Sequence, residues 1–202
     1  MPMHSRQEDD RPLLDNPLRD NPLRDNPLRD NPLRDHPGVA AVRRALTAHA
    51  ERTGASVPAV TTLPDAVRTA AAAATALGIT PAQIANSLIF VAVSMDGLRT
   101  PLLVMASGGA RVDTDVLADS AGLAGVESAD AVYVRQETGF VIGGVAPVGH
   151  RTPSGAPLRT VVDVDLAQFE EVWAAAGHSH TVFPTTYADL VTMTDGEALR
   201  VR

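Results

Sequence analysis

The chain has 202 residues, 45% of them hydrophobic, which is enough for one domain with a sizeable core. It contains no cysteine, which excludes disulfides, thiolate zinc sites and a cysteine nucleophile. The net charge is -7 and all 17 basic residues are arginines. This balance argues against a general nucleic-acid binder, although it allows a local arginine patch.

The N-terminal segment is repetitive. Asp-Asn-Pro-Leu-Arg occurs four times in succession from Asp15 to Arg34. A proline in every copy prevents a continuous helix, and one leucine per copy buries too little surface to offset the ordering entropy. We therefore predict a disordered tail over residues 1–36 and a folded domain over 37–202. The tail is either an expanded linker or a multivalent short linear motif.

No segment predicts membrane insertion or export. Residues 1–35 are polar and charged, without the apolar centre of a signal peptide. The longest apolar run, Leu88–Val93, is far too short to span a bilayer. The expectation is a soluble, cytoplasmic protein without a membrane partner.

The folded part begins with two predicted helices. Pro37 suits the first turn of a helix, and apolar residues at helical spacing predict an amphipathic helix over Gly38–Glu51. A short strand is expected at Val57–Thr61. An alanine-rich helix is expected over Asp65–Leu77, closed by Gly78.

The centre of the chain predicts a hairpin. A short helix at Thr80–Gln83 gives way by Ser87 to a buried strand, and Asp96-Gly97 is a hairpin turn. The returning strand is Leu98–Met105. Asp113 then caps a helix that runs through residue 121.

The C-terminal half alternates between short helices and strands. Its predicted elements are a helix at Ala129–Glu137, a glycine loop to His150, a strand at Leu158–Val164, a helix at Asp165–Val172, a strand pair at Trp173–Gly177 and Thr181–Phe183, a helix at Thr185–Val191 and an edge strand at Leu199–Val201. Helices first and hairpins later predict an α+β domain around a mixed, largely antiparallel sheet.

The glycine loop is the densest functional pattern. Thr138–His150 holds four glycines and Pro147, and apolar residues from Phe140 to Ile142 lead into Gly143-Gly144. Glycine lets a backbone approach a ligand closely. The pattern predicts a strand that carries a rigid loop to the mouth of a pocket. A glycine-kinked strand pair without a ligand is the alternative.

The ordered set of motifs resembles the YbaK/prolyl-tRNA-synthetase-associated editing domain family over residues 37–202. The matching stretches are Ala76–Ile79, Gln83–Phe90, Gly109–Asp113, Thr138–Gly149, Val161–Asp163 and Ala176-Gly177.

The resemblance implies a mixed sheet that closes into a barrel-like core with helices around it. It also implies a trans-acting aminoacyl-tRNA deacylase, often for tRNA for proline carrying alanine or cysteine. The expected partners are mischarged tRNA and an aminoacyl-tRNA synthetase, with no DNA and no cofactor. A catalytically inactive module that binds aminoacyl-adenosine or another small ligand is the alternative.

The resemblance also assigns catalytic residues. Asn86 stands where many members have a functional lysine, and its amide can orient a carbonyl or a ribose hydroxyl. The family's Gly-x-x-x-Pro loop falls on Gly143 to Pro147, so the N–H groups of Gly143, Gly144 and Val145 are candidate oxyanion donors. These roles require the loop amides to converge on the wall formed by Asn86 and Ser87.

Further residues are expected to bind substrate. They are Ser87, Arg111, Phe140, Val145, Pro147 and His150. Arg111 suits a phosphate, with an ion pair to Asp113 or another nearby carboxylate as the alternative. His150 either positions water or contacts phosphate, or it is a solvated turn residue. His178 and His180 lie two apart, but without a carboxylate motif they do not predict a metal site.

Overall fold

The computed structural model describes Leu33 and residues 35–202. The predicted disordered tail, apart from Leu33, Asp35 and His36, lies outside the described residues, and the domain boundary stays a prediction. None of the described helices is both long and apolar enough to cross a membrane.

The described residues form five α-helices, two 3-10 turns and eight strands. The helices are α1 Pro37–Thr53, α2 Ala70–Leu77, α3 Thr114–Ala121, α4 Ala131–Thr138 and α5 Tyr187–Thr194, and the 3-10 turns are Pro81–Gln83 and Val164–Gln168. The strands are β1 Thr61–Thr62, β2 Ile84–Val93, β3 Arg99–Ser107, β4 Gly125–Ser128, β5 Arg159–Asp163, β6 Val172–Ala175, β7 Thr181–Thr185 and β8 Glu197–Leu199.

All eight strands belong to one mixed sheet. The order is β1-β7-β6-β2-β3-β5-β8, and β4 pairs with β2 off this path. Pairs β2–β3, β2–β4, β6–β7 and β1–β7 are antiparallel, whereas β2–β6, β3–β5 and β5–β8 are parallel. The predicted α+β class with a mixed sheet is confirmed, and closure into a barrel stays a prediction.

Local sequence signals explain where several elements begin and end. Helix α1 buries Val39, Val42 and Leu46 on its apolar stripe and ends at Gly54, which adopts a left-handed conformation. Asp113 accepts hydrogen bonds from the first N–H groups of α3, as predicted.

Tertiary contacts change other elements. The helix predicted from Asp65 begins only at Ala70, because the Val67 N–H donates to the Ser179 carbonyl and Thr69 provides the N-cap. The helix predicted over Asp165–Val172 is a single 3-10 turn, since Val172 already pairs in β6.

Three strand expectations also change. The first strand was predicted at Val57–Thr61, but of these residues only Thr61 pairs with β7, together with Thr62, which follows it. Strand β4 was not predicted from the sequence. The apolar residues before Gly143 form a loop after α4 rather than a strand, and Val141 and Ile142 are exposed.

The two faces of the central hairpin build two cores. Ala85 and Ile89 pack with Leu103, Met105 and the core under α1 and the glycine loop. The alternate residues Leu88, Phe90 and Ala92 pack on the other face, under α3. Because side chains alternate along a strand, Asn86 belongs to the second face and Ser87 to the first.

Candidate functional site

Strand β2 has an open stretch on one edge. Ile84 and Ala85 pair there with β6, and Phe90–Val93 pair with β4. Among the described residues no strand pairs with the intervening residues 86–89 on that edge. A gap in the sheet therefore opens beside Asn86 and Ser87.

The ladder geometry decides which backbone groups point into this gap. The Gly108 N–H donates to the Ile84 carbonyl at 2.9 Å, so Ile84 is a bonded position of the β2–β3 ladder. Bonded positions alternate along an antiparallel strand. The N–H and C=O groups of Ser87 and Ile89 therefore point away from β3, toward the gap.

A cleft of about 240 Å³ occupies this gap. Its walls are β2, the segment that leads into α2, the glycine loop and the β6–β7 hairpin. They contribute Ile84–Ile89, Val67–Ala70, Ala73, Ala129, Val134, Ile142, Gly143, Val145, Trp173–Ala175, Thr181 and Val182. The cleft is mostly apolar, so it suits a small uncharged group next to exposed backbone donors and acceptors.

The glycine loop meets β2 across this cleft only in part. Gly143 and Val145 line the cleft. Gly144 instead packs on the β6–β7 turn, where an added Cβ would lie 3.0 Å from the Cα of His178. Its N–H donates to the Val141 carbonyl at 2.9 Å. The amide expected from Gly144 as an oxyanion donor is therefore already used within the loop.

Asn86 lies between this cleft and a second, open cleft. It lines both, and the second cleft also contains Arg111, Gly108, Gly109 and Phe90. The structure thus brings Asn86 and Arg111 to one surface. Ser87 lines the first cleft, and its hydroxyl donates to the sulfur of Met105 at 3.3 Å.

Arg111 is free to contact a ligand. Its side chain is exposed and forms no ion pair within the described part of the chain. The alternative pairing with Asp113 does not occur within the described residues, and that carboxylate instead accepts the N–H groups of Asp115 and Val116. Arg111 therefore presents an uncommitted guanidinium beside Asn86.

Phe140, Pro147 and His150 do not line the cleft of β2. Phe140 is 4% exposed and belongs to the core, where its ring packs edge-on against His150 at 5.6 Å between centroids. Pro147 is buried behind the loop. The three residues therefore lie outside this cleft, and their contact with substrate stays a prediction.

His150 stabilises the loop from behind. Its Nε2–H donates to the Ala146 carbonyl at 2.8 Å. Burial lowers the pKa of His150 to about 4, although the hydrogen bond to Ala146 opposes this shift. The imidazole is therefore neutral near pH 7, and it is not the solvated turn histidine of the alternative.

The other histidines form a small cluster near the start of α1. The rings of His178 and His180 stack at 5.3 Å, and His36 meets His178 edge-on at 4.8 Å. Burial lowers the pKa of His178, and the neighbouring His36 and His180 lower it further. Within the described residues no group of histidine and acidic side chains is arranged to hold a metal ion.

Arg68 is a cleft residue that the sequence did not reveal. It falls within the helix predicted over Asp65–Leu77, but it lies in the segment before α2 and lines the cleft. A Cβ added at Gly143 would lie 3.3 Å from the Cγ of Arg68. Of the described residues that line the cleft, Arg68 alone carries a charge.

Comparison with known proteins agrees with this geometry. A family model described as an aminoacyl-tRNA editing domain matches residues 64–193. A solved structure of a candidate trans-editing enzyme for prolyl-tRNA synthetase is 35% identical, with a TM-score of 0.67, over 81% of this chain and 97% of that chain.

Two other solved structures share the fold. A scaffold protein used for computational epitope backbone grafting is 33% identical, with a TM-score of 0.65, over 80% of this chain and 96% of that chain. A hypothetical protein is 24% identical, with a TM-score of 0.63, over 77% and 98%, and this likeness supports the fold alone. The family match spans both the open stretch of β2 and the glycine loop that faces it.

Proposed function

Because the chain belongs to the aminoacyl-tRNA editing domain family, also known as the YbaK family, we propose that it hydrolyses the ester between a wrong amino acid and the 3′ end of a tRNA. It acts in trans, in the cytoplasm, on mischarged tRNA and alongside the synthetase that charges it. The observation that carries this proposal is the open stretch of β2 facing Gly143 across an apolar cleft.

The proposed reaction places modest demands on the site. Water attacks the carbonyl carbon of the ester, the bond to the ribose oxygen breaks, and that oxygen takes a proton as the amino acid leaves. An aminoacyl ester is already activated, so the protein has to orient the water and stabilise the developing oxyanion. Backbone N–H groups suit both tasks because they are rigid and cost no reorganisation.

Four groups are proposed to perform these tasks. The N–H groups of Gly143 and Val145, two residues that line the cleft, are the proposed donors to the oxyanion. The Ser87 N–H, which points into the gap of β2, is a further donor on the opposite wall. The Asn86 amide orients the substrate carbonyl or the terminal ribose, in place of the lysine found in many relatives.

The lining of the cleft favours a small uncharged amino acid. Ala129, Val134, Ile142 and Val145 leave an apolar space of limited volume without a carboxylate. A basic side chain would find no ion-pair partner there, and a large aromatic one would compete for the same space as the terminal adenosine. Alanine on tRNA for proline is the proposed substrate.

Binding without hydrolysis is the second candidate function. It is favoured by Asn86, because an amide cannot supply the positive charge of a lysine and the chain contains no lysine at all. In that case the same cleft holds an aminoacyl-adenosine group without releasing the amino acid.

Hydrolysis of a panel of mischarged tRNAs tests the proposal. Among alanine, cysteine, serine and threonine, we expect alanine on tRNA for proline to be released fastest. Asn86→Ala should lower kcat/KM for that substrate at least about 10-fold, because it removes a donor that orients the substrate.

Gln136→Ala is the matched control, since it removes an exposed amide outside the cleft of β2. It should leave kcat/KM unchanged. Release that is insensitive to Asn86→Ala would keep the activity but remove Asn86 from the site. No release from any tRNA by the folded protein would favour the binding module.

A further inference from the structure

Arg68 belongs to a segment that forms no helix or strand but is held in place by backbone hydrogen bonds. The N–H of Leu63 donates to the His180 carbonyl at 2.7 Å, and the N–H of Val67 donates to the Ser179 carbonyl at 2.8 Å. Both side chains are buried in one core cluster with Val182. The backbone that carries Arg68 is therefore held against the β6–β7 turn, at the rim of the cleft.

The guanidinium itself is uncommitted. Arg68 is exposed, and within the described part of the chain it makes no hydrogen bond or ion pair. The base of its side chain lies over Gly143, where an added Cβ would meet Arg68 Cγ at 3.3 Å and Arg68 Cα at 3.4 Å. A free cation thus sits where the glycine loop and the segment before α2 meet.

In the proposed substrate, the negative charge nearest to the ester lies on a phosphate. The aminoacyl ester and the terminal adenosine carry no anionic group, and the α-amino group of the amino acid is a cation. The first anion along the strand is the phosphate on the 5′ side of the terminal adenosine. A cation at the rim attracts that phosphate and repels the α-ammonium, so it favours the orientation with the amino acid inside.

We propose that Arg68 binds the phosphate that joins the terminal adenosine to the preceding nucleotide. This inference rests on the proposed function and adds to it a substrate-binding residue that supplies the positive charge absent from Asn86. A guanidinium suits this role because it can bind two phosphate oxygens at once. Arg111 lies in the other cleft and does not share this position.

Two short substrates separate the phosphate contact from every other role. One is 3′-aminoacyl-adenosine without a phosphate, and the other carries a 5′-phosphate. We expect the wild type to have a KM about 10-fold lower for the phosphorylated substrate. Arg68→Gln should remove this difference by raising KM for the phosphorylated substrate with little change in kcat, and Arg68→Lys should retain part of it.

Arg44→Gln is the matched control, because Arg44 is an exposed arginine on α1 that does not line the cleft. On intact aminoacyl-tRNA, the slope of log KM against log salt concentration should fall by roughly 0.7 in Arg68→Gln, the value for one phosphate of a single strand, and stay constant in Arg44→Gln.

The outcome distinguishes failure of this inference from failure of the proposed function. If Arg68→Gln lowers kcat/KM equally on both short substrates, Arg68 acts at the ester. If it lowers kcat/KM on neither, Arg68 does not bind substrate. Both results overturn the inference but leave the proposed hydrolysis intact. If the wild type hydrolyses nothing, binding of the matching non-hydrolysable 3′-amide analogues, with and without the 5′-phosphate, applies the same test to Arg68.

Discussion

The side chains behind the glycine loop determine how firmly it is held. Thr138 accepts the Phe140 N–H through its hydroxyl, and the Thr138 carbonyl accepts the Arg151 N–H at 2.9 Å. Between these two points His150 closes the loop onto Ala146. Residues that do not touch the cleft therefore set the position of Gly143 and Val145, which do.

The neutral imidazole of His150 predicts a pH-dependent stability. The native pKa is about 4, whereas an unfolded histidine titrates near 6.5. Between these pH values the unfolded chain binds more protons, so stability falls as the pH falls. This group should lower the free energy of unfolding by up to about 2 kcal/mol between pH 7 and pH 5.

Urea unfolding at several pH values measures this effect. His150→Gln keeps a donor for Ala146 and does not titrate, so its stability should depend less on pH than that of the wild type. Comparing the two proteins isolates the effect of position 150, because all other titratable groups are present in both. Equal slopes for the two proteins over this range would contradict the assignment.

At the scale of elements, the contact between α2 and the end of β3 requires a glycine. A Cβ at Gly108 would lie 2.4 Å from the Cβ of Ala70 and 2.6 Å from the Pro81 carbonyl oxygen. The small residues of α2 permit this approach, which brings the segment with Arg68 over the cleft. The close contact at Gly108 therefore fixes the position of helix α2.

Gly108→Ala should therefore destabilise the protein by about 1–3 kcal/mol, because the backbone of Pro81 or α2 has to shift to admit the methyl group. Gly125→Ala is the control, since a Cβ at Gly125 meets nothing within 4 Å and the residue has no positive φ. Its effect should stay within about 0.5 kcal/mol in denaturant unfolding. Similar stabilities for the two variants would refute the tight contact.

At the scale of the whole molecule, Val201 and Arg202 connect distant parts of the sheet. The Asp113 N–H donates to the Val201 carbonyl, and Arg202 pairs with Asp163 and Asp165. Asp163 is 1% exposed and also accepts the Ser107 N–H at 3.0 Å. Strands β3 and β5 and the start of α3 are therefore held together by one buried carboxylate and its partners.

Arg202→Ala should destabilise the fold by about 2–3 kcal/mol, because it leaves the buried carboxylate of Asp163 without its cation. Arg99→Ala removes an arginine from the exposed pair with Glu127 and should cost less than about 1 kcal/mol. Thermal and urea unfolding measure both variants. The double variant with Asp163→Asn should lose less than the sum of the two single changes.

The sequence by itself determined the family, the α+β class, the central hairpin and several helix ends. These depend on local signals: Gly54, Gly122 and Asp113 act through bonds within a few residues. The pairing of β2 with β3 follows from two apolar runs around one tight turn. The resemblance to the family also led us to expect Asn86, Ser87 and the glycine loop at one place, and Asn86, Ser87 and Gly143 line one cleft.

Only the tertiary structure decided the rest of the site. The sequence does not distinguish the loop residues that line the cleft from those that do not. Gly144 packs on the β6–β7 turn and His150 packs on Phe140, so neither residue lines the cleft. Arg68 lies at the cleft because the Val67 N–H donates a hydrogen bond to the carbonyl of Ser179, more than a hundred residues later in the chain. Such contacts depend on how the strands are ordered in the sheet, and this order cannot be predicted from the local pattern of residues.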